Sequence, residues 1–341
     1  MDRYLSYVLE QAKNILAIDS PTGYTYKVKD YLMKEYRALG YDPIETPKGG
    51  VLTEIGGDGN GLLLSAHVDT LGGMVMNIKG NGRLKIVPLG GLSPMNTEAE
   101  TVRVYTYDDV CYEGTFQLAN ASTHVNDNYR TAPRNFDTME VVLDERVSCK
   151  ADTEKLGIMT GNYVCFEPRF TITEKGYIKS RFLDDKLSAA ILLGYAKYVK
   201  EENIELPRKV YQHITVFEEV GHGGKASVPA DVTEMLAVDM GCVGDGLACT
   251  EHEVSICVKD GGGPYHYDMV RKLIQAAKEN NVGFAADVYP HYSSDADAAI
   301  AAGHDIRHAL IGPGVYASHG YERSHTDAVV NSLKLLKAFI K

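Results

Sequence analysis

An apolar, β-branched run containing Val210, Ile214, Val216 and Phe217 ends abruptly on two adjacent carboxylates, Glu218 and Glu219, followed by Val220-Gly221-His222-Gly223-Gly224. A buried strand of an α/β sheet delivers side chains to the sheet's carboxyl edge in this way, and such folds place their sites there. Taken alone, a glutamate pair at a strand end is an ordinary solvated feature. Here the pattern recurs. Leu62-Leu63-Leu64-Ser65-Ala66 runs into His67-Val68-Asp69 and then Gly72-Gly73, and an apolar run over residues 233–238 ends in Asp239-Met240-Gly241. Strands that all finish on polar residues and glycine require one sheet whose carboxyl edge is kept open.

The chain has 341 residues, enough for one large α/β domain and a smaller one. Its hydrophobic fraction of 44% can build a sizeable core. A formal net charge of -11 argues against a nucleic-acid binder, which would carry a basic patch. Part of that negative excess is expected to be internal, as carboxylates that bound cations neutralise. Six cysteines are scattered without C-x-x-C spacing, so neither a zinc ribbon nor a disulfide framework is indicated. Met1-Asp2-Arg3-Tyr4 lacks the residue order of a signal peptide, and no apolar run approaches the ~20 residues of a membrane span. A cytoplasmic protein that does not engage membranes is the expectation.

Helical spacing predicts helices over residues 5–18 and 26–39, separated by the turn Ser20-Pro21-Thr22-Gly23. From Gly73 to Thr173 short β-type stretches alternate with Gly, Asn and Asp turns, and no long helix is evident. This predicts an inserted all-β domain, a small barrel or sandwich, over residues 73–173, within a discontinuous α/β domain of residues 1–72 and 174–341. The α/β pattern resumes with Asp184-Asp185-Lys186 before a helix over residues 187–200, with a strand over residues 210–217 leading to the glutamates. The last strand is expected at residues 306–311, with Gly312-Pro313-Gly314 as the turn after it.

Strand ends and their neighbours thus supply His67, Asp184, Glu218, Glu219, Asp239 and either His319 or His325. Individually these residues are weak indications. Together, two imidazoles and several carboxylates on the loop side of one sheet suit Zn²⁺, Co²⁺ or Mn²⁺ better than Ca²⁺ or a thiolate site. Asp69 is placed to orient the His67 ring. Two ions bridged by a carboxylate and a water would use these groups and leave one glutamate over as a base.

In order and spacing, His67-Val68-Asp69, Asp184-Asp185-Lys186, Glu218-Glu219-Val220-Gly221, Asp239, Ser20-Pro21-Thr22-Gly23 and Ser294-Asp295-Ala296-Asp297 resemble the glutamyl/deblocking aminopeptidases. These are co-catalytic di-metal peptidases that include the tetrahedral aminopeptidases, and the resemblance spans essentially the whole chain. It implies a mixed central sheet flanked by helices, as in zinc peptidases and phosphorylase-hydrolases, with a small β-barrel inserted for dimerisation. His67, Glu219, Asp239 and a carboxy-terminal histidine would bind two divalent ions, Zn²⁺ or Co²⁺ first and Mn²⁺ next. Asp184 would bridge them, because the family's bridging aspartate is the one followed by another residue and then a basic one; Asp185 would then cap the helix. Glu218 would be the general base acting on a metal-bridging water, and Asp69 would orient His67. The family's last ligand lies in His-Ser-x-x-Glu, whereas this chain has His319-Gly320-Tyr321-Glu322, with His325 beyond; His319 is preferred on spacing. Short peptides are the implied substrates, and a homo-oligomer, from dimer to dodecamer, the implied assembly.

Other readings use the same residues. A deacylase or carboxypeptidase on this scaffold needs an arginine for a substrate carboxylate, with Arg271, Arg307 and Arg323 as candidates. A glycosidase using the glutamate pair leaves the histidines unexplained, since adjacent strand residues face opposite ways. A non-catalytic metal-binding assembly protein leaves the spare glutamate unexplained. His291, Tyr292, Tyr289 and the glycine-rich loop at residues 261–264 are the expected pocket walls.

Overall fold

The computed structural model describes residues 2–341. The chain forms two compact units, one of residues up to Asp69 together with Arg169–Lys341, the other Thr70–Pro168. The first contains a mixed sheet of twelve strands. At its centre, strand Gly61–His67 lies between Val210–Thr215 and Val232–Val238, parallel to both, and Arg307–Tyr316 continues the parallel run. Antiparallel strands complete both flanks. Because the central strands are parallel, their carboxyl ends share one edge, and the register sets Thr215 beside His67 and Val238 beside Ile311.

Strand Gly61–His67 is buried over its whole length, as expected for a parallel strand covered on both faces. Helix Leu183–Glu201 lies against these central strands. Its Leu187, Ala189, Ala190, Ile191, Leu192 and Leu193 are fully buried, so it is apolar on all sides rather than amphipathic. Helix Asp2–Leu16 packs on it through Tyr4, Val8, Ala12, Ile15 and Leu16, a three-to-four-residue spacing. The crossing is close: a Cβ on Gly194 would lie 2.3 Å from the Val8 side chain.

Two expectations need correction. Strand Val210–Thr215 stops before the glutamates; Phe217 takes a left-handed conformation (φ 68°), and Glu218–Val220 form a 3₁₀ turn. The final parallel strand does not end at residue 311. It runs through Gly312-Pro313-Gly314 to Tyr316, and Glu322–His325 forms a further strand paired with Tyr177–Ser180. The two glycines are there for close backbone approach: a Cβ on Gly312 would sit 1.7 Å from the Asp239 carbonyl oxygen, and one on Gly314 2.0 Å from that of Thr250.

The second unit is a closed six-stranded antiparallel barrel, in the order Gly72–Ile78, Leu84–Leu89, Met139–Leu143, Cys111–Leu118, Glu100–Tyr105, Tyr163–Phe166. Alternate residues fill its interior, among them Val102, Val104, Phe116, Val141 and Val164. Phe116 meets Phe166 edge-on at 5.6 Å. Buried Glu140 is answered by Lys79 and Arg83, which hold it below the ordinary carboxylate range despite its burial.

Candidate metal centre

His67 is the last residue of its strand and is 1% exposed. Its Nδ1 lies 3.0 Å from the Asp69 carbonyl oxygen and donates its proton there, which turns Nε2 toward the carboxylates. That Nε2 is 3.1 Å from Asp184 Oδ1 and 3.6 Å from Glu218 Oε2. Asp69 therefore orients the ring chiefly through its main chain, since its carboxylate is farther, at 3.6 Å. The carboxylate has a different task. It accepts the main-chain N–H of Glu218 (3.1 Å) and of Glu219 (3.4 Å), and the Thr22 hydroxyl at 2.7 Å. One buried aspartate thus fixes both the imidazole and the turn that carries the glutamates.

A 3₁₀ turn rotates about 120° per residue, so neighbours on it diverge. Glu218 faces His67, while Glu219 Oε2 lies 3.5 Å from His319 Nε2. His319 itself adopts a left-handed conformation (φ 61°), and its Nε2 is also 3.6 Å from Asp184 Oδ2. Asp184 precedes the regular part of its helix, after Phe182 at φ 66°, and the Asp184–Asp185 peptide is cis. Glu322, 2% exposed, accepts the main-chain N–H of Asp184 and that of His319, each at 3.0 Å. Asp185, expected to cap the helix, receives the His67 main-chain N–H at 3.3 Å.

The result is two triads of ligand-type atoms, His67/Asp184/Asp239 and Asp184/Glu219/His319, each with its atoms within 4.8 Å of one another. Asp184 belongs to both. His325 is brought elsewhere: it is the N-cap of helix Thr326–Phe339, its Nδ1 accepting the Asp327 N–H at 3.0 Å.

The charge balance asks for cations. Burial, together with the surrounding carboxylates, pushes Glu218 and Glu219 well above the ordinary carboxylate range and Asp239 up to about 7, His67 only partly compensating. Glu219 Oε1 is buried without a hydrogen-bond partner among the described residues. Two imidazoles and four carboxylates, with one orphaned oxygen, fit a pair of divalent ions and leave little else that would stabilise them.

The centre opens into a cleft of about 510 Å³ lined by Asp184, Glu218, Glu219, His291, Tyr292 and His319, with Met240, Cys242, Ser293 and Ser318 also on its wall. Of the expected walls, His291 and Tyr292 are present. Tyr289 is not: it is 1% exposed and hydrogen-bonded to Ser255. The loop at residues 261–264 acts from behind, Gly261 N–H donating to the Tyr292 carbonyl at 2.9 Å. Among the described residues no arginine or lysine lines the cleft. Arg271 pairs with Asp268, Arg307 with Glu234 and Arg323 with Glu251.

The sequence profile of the M42 glutamyl aminopeptidase family matches residues 49–335. YhfE of Bacillus subtilis (strain 168) is 44% identical over 338 residues, covering 98% of this chain and 97% of that protein. Among solved structures, a TET aminopeptidase from Thaumarchaeota archaeon SCGC AB-539-E09 superposes with a TM-score of 0.89 at 18% identity, over 98% of this chain and 96% of that one. The TET1 peptidase of Pyrococcus horikoshii, described as assembling into a tetrahedron or a large octahedral shell, gives 0.86 at 21% identity, over 98% and 99%.

Proposed function

This chain belongs to the M42 glutamyl aminopeptidase family and is a metal-dependent aminopeptidase, and from that premise we propose how its residues divide the work. His67, Asp184 and Asp239 hold one divalent ion, Asp184, Glu219 and His319 the other, and Glu218 is the general base in releasing amino-terminal residues from short peptides. The observation that carries this is the sharing of Asp184 by the two triads, with a further carboxylate left beside them. When bound, the ions supply Lewis acidity toward the scissile carbonyl and the attacking water.

Glu218 does the proton work. It receives the proton of the attacking water and returns it to the leaving amine, a role suited to a carboxyl whose pKa burial holds high. Asp69 keeps His67 in one tautomer and Glu218 in place, and Glu322 keeps Asp184 and His319 at their spacing. The engagement of Arg271, Arg307 and Arg323 elsewhere argues against a site built for a substrate's free carboxylate.

The imidazole and carboxylate donor set favours Zn²⁺ or Co²⁺, with Mn²⁺ next. For assembly we favour a homo-oligomer, with short peptides rather than nucleic acid or membranes as partners. Exposed Met76, Met95, Tyr107, Val110, Val125 and Met159 on the barrel unit support an interface there. The six cysteines are free thiols, which suits a reducing cytoplasm, and among the described residues no helix is long and apolar enough to cross a membrane.

A panel of aminoacyl-p-nitroanilides, assayed with chelator-stripped enzyme and after adding back each metal, tests this reading. Activity on free amino termini should vanish on stripping and return with zinc or cobalt. Silence across the panel, with hydrolysis of N-acyl or carboxy-terminal substrates, would replace it with the deacylase or carboxypeptidase reading.

A further inference from the structure

We propose that His252, His325 and Asp327 form a third divalent-cation site, separate from the cleft and suited to zinc or a similar transition ion. None of the three lines the cleft. His252 Nδ1 lies 3.0 Å and His325 Nδ1 3.2 Å from the same carboxylate oxygen, Asp327 Oδ2, and the three ligand-type atoms fall within 4.8 Å of one another. Tetrahedral zinc with bonds near 2.0–2.1 Å sets its ligand atoms roughly 3.3 Å apart, so the spacing already matches an edge of that polyhedron.

The tautomer supplies an independent indication. His325 Nε2 lies 2.7 Å from the Lys175 carbonyl oxygen and so donates its proton there. Its Nδ1 is therefore the unprotonated nitrogen, and its one lone pair accepts the Asp327 N–H at 3.0 Å, a bond an ion at this atom would displace. Asp327 Oδ2 then stands between two ring nitrogens, 3.2 Å from His325 Nδ1 and 3.0 Å from His252 Nδ1, so one ion could draw on all three atoms. An imidazole whose far nitrogen donates to a backbone carbonyl is also the usual form of a histidine ligand. His252 stacks obliquely on His325, ring centroids 4.3 Å apart, with its Nε2 3.5 Å from the Tyr177 hydroxyl.

Two imidazoles and one carboxylate select a borderline transition ion over Ca²⁺ or Mg²⁺. Solvent completes the shell from a depression of about 540 Å³ lined by His252, Glu253, Asp327, Asn331 and Lys334. Two features oppose the ion: the positive end of helix Thr326–Phe339, and loss of the Asp327 N–H bond to His325. The Asp327 carboxylate in the first turn offsets the first. The second limits affinity below that of the cleft. An ion here ties the His252 segment and the Glu322–His325 strand to the start of the last helix.

The test titrates the metal-stripped full chain with zinc chloride, comparing wild type with His252→Ala and Asp327→Asn. These side chains are 41% and 61% exposed, so both variants keep the fold. After desalting, the zinc content of wild type should exceed that of either variant by one ion per chain. Zinc added beyond that needed for full aminopeptidase activity should raise the Tm of wild type and not that of the variants. Equal zinc content in all three proteins, or an extra ion and Tm rise that persist in both variants, would overturn the proposal. The comparison is a difference between proteins with the same cleft, so it is independent of how the cleft is loaded.

Discussion

Glu218 and Glu219 are chemically identical neighbours that the turn separates by what each faces: His67 for one, His319 for the other. Glu218→Gln keeps the side-chain volume and removes the basic oxygen. Turnover should fall by about 10²–10⁴-fold, the usual contribution of a general base, while metal analysis finds both ions still bound. Near-normal turnover would refute the base assignment. A second residue-scale effect concerns stability. His213 is 3% exposed, its Nδ1 has no partner, and burial pushes its pKa down to about 4. As pH falls, the unfolded chain takes up the proton near 6.5, whereas the folded chain resists it until about 4. The stabilisation is therefore complete above about pH 6.5 and is lost between there and 4, by about 2 kcal/mol from pH 7 to 5. Urea denaturation should show that loss in wild type and a flatter pH dependence in His213→Leu; parallel slopes would dismiss it.

At the scale of elements, packing leaves little slack. In Gly194→Ala the new methyl meets Val8, a stiff β-branched side chain, so the helices Asp2–Leu16 and Leu183–Glu201 must move apart. A loss of about 1–3 kcal/mol in urea unfolding is expected, with no change in the metal requirement. Strands and helices here were legible because burial imposes periods of two and three to four residues on the sequence. The turn carrying the glutamates was not, since the apolar run continues past Thr215 while the backbone reverses at Phe217. Gly312-Pro313-Gly314 misled for a related reason. Glycine marks a turn and a close backbone approach alike, and only the neighbouring Asp239 and Thr250 carbonyls tell which applies. The loop glycines show the same ambiguity: Gly223 and Gly224 make room for Asp295, whose Oδ1 receives the Gly224 N–H at 2.6 Å, rather than for an ion.

Across the whole molecule, the residues of the centre come from segments as far apart as His67 and His319, and spacing alone could order them but not aim them. His319 and His325 illustrate this. Left-handed Ala317 and His319 turn the first back toward Glu219, while pairing with Tyr177 carries the second to the other end of its strand. Glu322 served in the sequence only as a spacing mark, and its grip on two main-chain groups became visible with the fold. The exposed apolar residues of the barrel belong to the same scale. Light scattering on eluted fractions should give a mass that is a multiple of 37.4 kDa. A single species at that mass would remove the oligomer from the proposal.

Asp184 has one oxygen toward His67 and the other toward His319. In the proposed centre the two occupancies are consequently linked: the first ion to arrive orders a carboxylate the second needs, yet draws off part of its charge. The halves also differ in access, with His67 1% exposed and the His319 side chain 41%. In that proposed centre the ion beside His67 would exchange slowly and the one beside His319 readily, so the working state would follow the metal supply around it.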